Sequence, residues 1–483
     1  MQKLKNIRLF LPIICIVVFS ACSVQRQYDT TDMDLPDEFY LPDSVQENLD
    51  DAIIPWREFF KDTVLVRLIS DAFEQNFDIR TANKEIAINE QYFKQSKLAF
   101  LPSFNLNLLN IERNWRSKYS RTGPENGYYD YKVKAPPENL YVSKSEFTNT
   151  AALDWEIDIW GKFRKQKKAA SAYYQQSFQA RKALQTEVVA TIAEDYYTLL
   201  MLDEQLEVAK KNYHFRDSTL SMIQLQYNAG EVSALAVQQS KSQVLEAAAL
   251  IPELEKNRAV QENNLRLLTG KLPDSIKREA RLSALDTTYQ EVRELPLYLV
   301  QNRPDVVMAR YNLKAANANL GIRQVERYPS LSISLAGGLG AQLGKNWFNV
   351  PGALLGDVIG GITAPIFNRR ELKTNFEVAK LERDEAEINF QHKVFGAIVD
   401  IRNSMVSLDK LKTQLAIAEE QQHVSQKAVE SSRMLFRSGF ATYLEVITAQ
   451  GEALDSELDL VKAKTNLLIQ RIQLYRALGG GWE

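Results

Sequence analysis

The chain has 483 residues, 45% hydrophobic and 25% charged, both ordinary for folded globular sequences. Its formal net charge of −2 supplies no basic field, which argues against a nucleic-acid partner. Proline is sparse. Between Pro137 and Pro351 it falls only at 252, 273, 296, 304 and 329, and after Asn368 there is none, a distribution that permits very long helices.

The first 22 residues read as a targeting segment. Lys3, Lys5 and Arg8 precede an apolar run from Leu9 to Phe19, too short for a membrane span of about 20 residues. Phe19-Ser20-Ala21-Cys22 resembles a bacterial lipobox, in which Cys22 is lipidated and becomes the mature N-terminus. A plain signal peptide with an incidental cysteine is the alternative. The only other cysteine, Cys15, would be cut away, leaving the mature chain without a disulfide. One acyl chain holds a membrane weakly and several hold it firmly. Ser23 after the cysteine does not suggest inner-membrane retention. Residues 23–62, acid-rich at their start, read as an N-terminal arm.

From residue 63 onward the sequence is duplicated. Tyr227 to Val237 reappears as Phe436 to Val446, with Gly230 matching Gly439, an offset of 209 residues. The same offset carries Leu199, Leu202, Leu206 and Ala209 onto Leu408, Leu411, Leu415 and Ala418, and Leu268-Thr269-Gly270 onto Ala477-Leu478-Gly479. A second offset of 227 matches Leu101-Pro102-Ser103 to Tyr328-Pro329-Ser330. The first copy spans 63–270, a connector 271–295, and the second copy 296–483.

Each copy reads helix, strand, loop, strand, long helix, turn, helix. Residues 63–100 have helical spacing at Ala82, Ile86, Phe93 and Ala99, with Pro102 as the stop. Residues 103–111 alternate, with Phe104, Leu106 and Leu108 on one face. Residues 147–160 alternate more clearly: Phe147, Ala151, Leu153, Trp155, Ile157 and Ile159 oppose Thr148, Thr150, Asp154, Glu156 and Asp158. In the second copy Leu331, Ile333 and Leu335 alternate with serines, and a Gly-rich strand at 355–366 ends at Pro365. Long helices are expected from Lys162 to Tyr227 and from Arg369 to Phe436, each about 100 Å at 1.5 Å per residue. Leu199, Leu202, Leu206, Ala209, Tyr213, Leu220, Ile223 and Tyr227 form a heptad seam for a neighbouring helix. Gly230 and Gly439 break the helices, and return helices run 233–269 and 442–478. Residues 112–146 read as an exposed loop between strands.

A strand with one apolar and one polar face suits a wall between lipid and water. Open sheet edges do not persist in lipid, and four strands are too few to close. Several copies must therefore share one barrel. Two copies give eight strands, whose interior side chains fill; three give twelve and leave a channel. An ordinary hairpin packed on helices is the competing structure. Aromatic residues gather at both strand ends: Phe100, Trp155, Trp160, Tyr328 and Phe367 at one, Trp115, Tyr141, Trp347 and Phe348 at the other.

At the glycine turns, the Leu268-Thr269-Gly270 and Leu478-Gly479 endings and Asn302-Arg303-Pro304-Asp305, the chain resembles the TolC-like outer-membrane efflux family, in its lipoprotein branch. The resemblance implies a mainly α fold carrying a membrane β-barrel, with a homotrimer sharing twelve strands and a periplasmic helical barrel. It also implies a passive duct in the outer membrane, coupled through a periplasmic adaptor to an inner-membrane pump. A duct for type I protein secretion is a near relative, and a purely structural coiled-coil lipoprotein is a rival of another class. By the same resemblance, adaptors dock at the helix turns: Gly230, Val232, Ser233 and Leu235 in the first copy, Gly439, Ala441, Thr442 and Leu444 in the second. Ser233 and Thr442 also suit N-caps. A closed aperture falls one or two turns past the second turn, at Glu445 and Thr448. Three copies of Glu445 near an axis would raise a carboxylate pKa.

Catalytic chemistry is not evident. His214, His392 and His423 each sit in a long helix. Only Glu419, one turn before His423, forms a pair with ligand spacing, which is too few for a metal site. No cofactor is expected. Gly337-Gly338-Leu339-Gly340 lacks the continuation of a phosphate-binding loop.

Overall fold

The computed structural model describes residues 38–39, 55–117, 141–285 and 295–482. Cys22, the targeting segment, most of the arm, the loop at 118–140 and residues 286–294 of the connector lie outside the described residues, as do the side chains of Trp115 and Tyr141. The described chain forms two compact units. One holds residues 90–172 and 314–385, the other the remainder.

The duplication is expressed as three pairs of helices of identical length. Helices α1 (Thr63–Gln75) and α2 (Phe77–Leu98) precede strands β1 (Ser103–Ser117) and β2 (Tyr141–Ile157). Helix α3 (Lys162–Asn228) turns into α4 (Ala234–Leu268). The second copy has α5 (Pro304–Val325), β3 (Ser330–Ala341), β4 (Leu354–Thr363), α6 (Glu371–Arg437) and α7 (Tyr443–Ala477). Helices α3 and α6 both have 67 residues, α4 and α7 both 35, and α2 and α5 both 22. A helix of 67 residues is about 100 Å long. The expected seam on α3 is buried at Leu199, Leu202, Leu206, Ala209 and Ile223, while Tyr227 at its end is 43% exposed.

The expected single helix at 63–100 is two helices, broken at Asn76. Asn76 has extended backbone (ψ 132°), and its Oδ1 accepts from the amides of Asp78 at 2.9 Å and Ile79 at 3.1 Å, capping α2. Its Nδ2 donates to the carbonyl of Leu268 at 2.8 Å, so the break ties the start of α2 to the end of α4. The second copy repeats this with a different side chain: Arg303, just before α5, donates from Nη1 to the carbonyl of Ala477 at 2.9 Å. Gly270 closes the end of α4 at φ +67°, and a Cβ there would meet the Gln75 carbonyl at 2.4 Å. The core of this unit gathers Trp56, Leu65, Ile69, Ile192, Tyr196, Leu199, Leu265 and Ile472, with Tyr196 Oη donating to Asp62 Oδ2 at 2.6 Å.

The other unit carries a four-stranded antiparallel sheet in the order β1-β2-β3-β4. The first hairpin joins β1 to β2, β2 pairs with β3 across the repeat boundary, and β4 pairs only with β3. The strands of the first pair, of 15 and 17 residues, outrun those of the second, of 12 and 10. They are also longer than the stretches expected at 103–111 and 147–160.

Candidate functional site

Two regions, described separately, carry the candidate chemistry: the strand wall and the paired helix turns.

In the wall, cross-strand partners share a face. Phe104 lies opposite Leu153, Leu153 opposite Leu335, and Leu335 opposite Val358; Trp155 pairs with Ile333, and Leu331 with Ile362. One face is therefore apolar across all four strands, and Leu106, Leu354, Val358 and Ile362 on it are more than half exposed. The opposite face carries Asp154, whose Oδ1 accepts from Ser334 Oγ, with Thr150, Ser332 and Asn107. The faces of β4, unreadable in its Gly-rich sequence, are fixed by its register: Leu354, Val358 and Ile362 lie on the apolar side. A register shift between Asn107 and Asn110 is a bulge in β1. Ahead of it the apolar face takes even positions (Phe104, Leu106), and past it odd ones (Ile111, opposite Phe147). The doublet Leu108-Leu109 marks the bulge in the sequence, since a period of two requires an inserted residue to keep one face apolar.

The aromatic residues divide between the two sheet ends. At one, Trp155 Nε1 donates to the Phe100 carbonyl at 2.9 Å and Trp160 Nε1 to the Pro329 carbonyl at 2.7 Å, while Trp160 stacks on Tyr328 at 5.2 Å. At the other, Phe147, Trp347 and Phe348 lie together. No described helix is long and apolar enough to cross a membrane.

At the helix turns, Gly230 and Gly439 both adopt φ +78°, a left-handed conformation costly to any residue with a Cβ. Each closes its helix with the same backbone bonds. The amide of Glu231 donates to Gln226 at 2.9 Å, and that of Phe440 to Leu435 at 2.9 Å, the pattern that satisfies orphan carbonyls at a helix end. The two turns share one core: Ile223, Ala236, Phe436 and Val446 are buried together, with Val232, Ala441 and Tyr443 packed on them. Of the expected docking residues, Val232 and Ala441 are thus half-buried in this core. Gly230, Ser233, Gly439 and Thr442 are exposed, as are Leu235 at 56% and Leu444 at 53%.

The expected caps divide. Ser233 occupies the N-cap position of α4 but makes no side-chain cap bond. Thr442 forms a full capping box: its Oγ1 accepts from the Leu444 amide at 3.3 Å, and Glu445 Oε2 accepts from the Thr442 amide at 2.8 Å and from its hydroxyl. That duty governs Glu445. The bond from the Thr442 side chain, then that from its own backbone amide, hold its carboxyl below the usual range. In the single chain the donors are present and the like charges are not.

Thr448, three residues past Glu445 on α7, lines a groove of about 520 Å³ between α4 and α7, with Gly451, Asp455 and Glu246, floored by Arg216 of α3. Arg216 is 4% exposed and donates from Nη1 to the Gln243 carbonyl at 2.9 Å and to Glu246 at 3.2 Å. Nearby, buried Gln450 of α7 donates to Thr219 Oγ1 of α3 at 2.9 Å. Sequence reading missed this polar layer; its only signal was an arginine and a glutamine interrupting apolar helical rows. Among the described residues no group of three His, Cys, Asp or Glu side chains is gathered to hold a metal.

The outer membrane efflux protein model matches residues 68–271 and 295–480, the two copies in turn. The chain belongs to the outer membrane efflux protein family. It is 25% identical over 489 residues to the probable outer membrane lipoprotein SilC of Salmonella typhimurium, covering 100% of both chains. It is 23% identical to the cation efflux system protein CusC of Escherichia coli O6:H1 over 481 residues, 98% of each. Its fold matches the crystal structure of the CmeC outer membrane channel of Campylobacter jejuni with a TM-score of 0.81 at 19% identity, covering 94% of each chain. The duplicated helices and the four-stranded sheet are thus the architecture of outer membrane efflux proteins, which act as outer-membrane channels of efflux systems.

Proposed function

We propose that three copies of this chain close a twelve-stranded barrel in the outer membrane and form the passive exit duct of a tripartite efflux pump for small molecules. The observation that carries this reading is the sheet itself. It has one continuous apolar face, and its edge strands β1 and β4 have no further strand partner among the described residues. Lipid contact suits the face, but each unpaired amide or carbonyl in hydrocarbon costs several kcal/mol. A second copy removes that cost by setting its β1 beside β4, antiparallel as the existing order requires. Export then needs no chemistry on this chain, energy being supplied at the inner membrane.

In this reading residues 63–270 and 296–483 are the working copies and 271–295 the connector. Cys22 is the lipid anchor. The exposed turn residues Gly230, Ser233, Leu235, Gly439, Thr442 and Leu444 meet a periplasmic adaptor, with Val232 and Ala441 bracing them from within. Glu445 and Thr448 border the aperture, Glu445 also serving as the cap of α7. The names of SilC and CusC, a lipoprotein and an efflux component, support the anchor and the export role.

The test is an unheated SDS gel of protein extracted from membranes. A closed barrel runs as a heat-sensitive trimer and conducts ions in a planar bilayer. A monomer before and after heating, without conductance, would sink the duct and favour a coiled-coil lipoprotein.

A further inference from the structure

The two copies treat the corner between sheet and long helix differently. In the first, Gly161 takes φ +79° just before α3; in the second, 209 residues on, Arg370 takes φ +69° just before α6, preceded by Arg369 at φ +44°. These are the only described residues other than glycine at positive φ. Arginine there is strained by its Cβ where glycine is not, and such strain persists where the side chain has a use. Both arginines are exposed, and neither has a carboxylate partner among the described residues. Ahead of them, across Asn368, Ile366 and Phe367 are 91% and 88% exposed. The turn thus offers two apolar side chains and two free guanidinium groups within the stretch Ile366–Arg370.

Its surroundings share the charge. The register puts the end of β4 beside the start of β3 and the end of β2, and at that sheet end α3 opens with Lys162, Arg164, Lys165, Lys167 and Lys168. Lys162 and Arg164 are balanced by Glu156 and Asp158, whereas Lys167, Lys168 and Lys373 have no such partner among the described residues. Positive charge is crowded enough that Arg164 and Lys168 add to burial in holding the Lys165 ammonium below its usual range, Asp158 acting the other way. The tryptophans Trp155 and Trp160 sit at the same end, as membrane boundaries favour.

We propose that the Ile366–Arg370 turn binds anionic phospholipid headgroups where the strand wall meets the periplasmic water: Ile366 and Phe367 enter the acyl boundary while Arg369 and Arg370 hold the phosphate. Guanidinium forks match phosphate oxygens, and basic clusters beside apolar side chains favour anionic lipid surfaces. The inference rests on the wall being a membrane wall.

The experiment reconstitutes the full-length protein in bilayers and measures quenching of its tryptophan fluorescence by brominated phosphatidylglycerol and by brominated phosphatidylcholine. The wild type should favour phosphatidylglycerol. In the double variant Arg369→Gly, Arg370→Gly the second change copies Gly161 of the first copy; the variant relieves strain and should fold at least as well, while its preference falls about tenfold or more, the scale of two basic side chains at a membrane surface. An equal response to both lipids in the wild type, or an unchanged preference in the variant, overturns the proposal. So does loss of the preference in millimolar inorganic phosphate, which would mark a site for the free ion. A variant that no longer assembles would mark the turn as an interface between copies and would likewise overturn it. Failure of the wild type to enter bilayers at all would instead sink the membrane-wall reading.

Discussion

The two helix turns have one backbone and two sets of side chains. Gly230 and Gly439 share φ +78° and the same closing bonds, yet Ser233 leaves its helix uncapped by a side chain while Thr442 and Glu445 form a full box. Where the first turn carries Glu231, the second carries Phe440, 84% exposed. The helix breaks repeat the lesson, since Asn76 and Arg303 tie their helices to Leu268 and Ala477 through equivalent bonds of unlike chemistry. Duplication has kept what backbone geometry requires and released what it does not.

The largest effect should come from attacking the shared backbone. Gly439→Pro cannot adopt positive φ, and removes an amide that donates to Phe436 at 3.1 Å. A misplaced proline costs about 3 kcal/mol or more, so the turn should open and export should cease while the strand wall still enters the membrane. A drug- or metal-susceptibility assay alongside an unheated gel checks both halves; full export by the variant would mean that the turn does not dock. Gly230→Pro should do the same if the turns are equivalent.

A smaller effect is expected from the core that both turns share. Phe436→Ala should cost roughly 3–5 kcal/mol and Ile223→Ala roughly 2–5, and both should expose the two turns together to limited proteolysis, because Ile223, Ala236, Phe436 and Val446 form one cluster. Cleavage confined to the mutated turn would show that they are independent.

The smallest effect separates the turns. Thr442→Ala should cost about 1 kcal/mol and speed hydrogen exchange in the first turn of α7, while Ser233→Ala should barely change α4. The Glu445 carboxyl is lowered in the folded chain, so its contribution is present above the ordinary carboxylate range and fades as pH falls through the folded value. Acidification should therefore loosen α7 and not α4. Equal exchange at both helix starts in acid would contradict the capping box.

Much of this architecture was legible before any coordinates. The offsets of 209 and 227 in the sequence recur as the spacing of α3 to α6 and of α2 to α5, because a helix length is set by where apolar periodicity stops and glycine begins. The alternation of β2 was equally readable, since Phe147 and Leu153 lie on the face that its period of two assigns. What escaped was whatever depends on a distant partner. The break at Asn76 is set by the Leu268 carbonyl, 192 residues away, and the faces of β4 by β3, because glycine carries no polarity to read.

The sequence by itself determined the duplication, the long helices, their glycine turns and the apolar face of the wall, all of which follow from local propensity and periodicity within one segment. Only the tertiary structure decided the strand order across the repeat boundary, the faces of β4, the break at Asn76 and the single core joining the two turns. Each of these turns on a neighbour's donor, acceptor or volume, and a linear pattern does not say which neighbour the chain will bring.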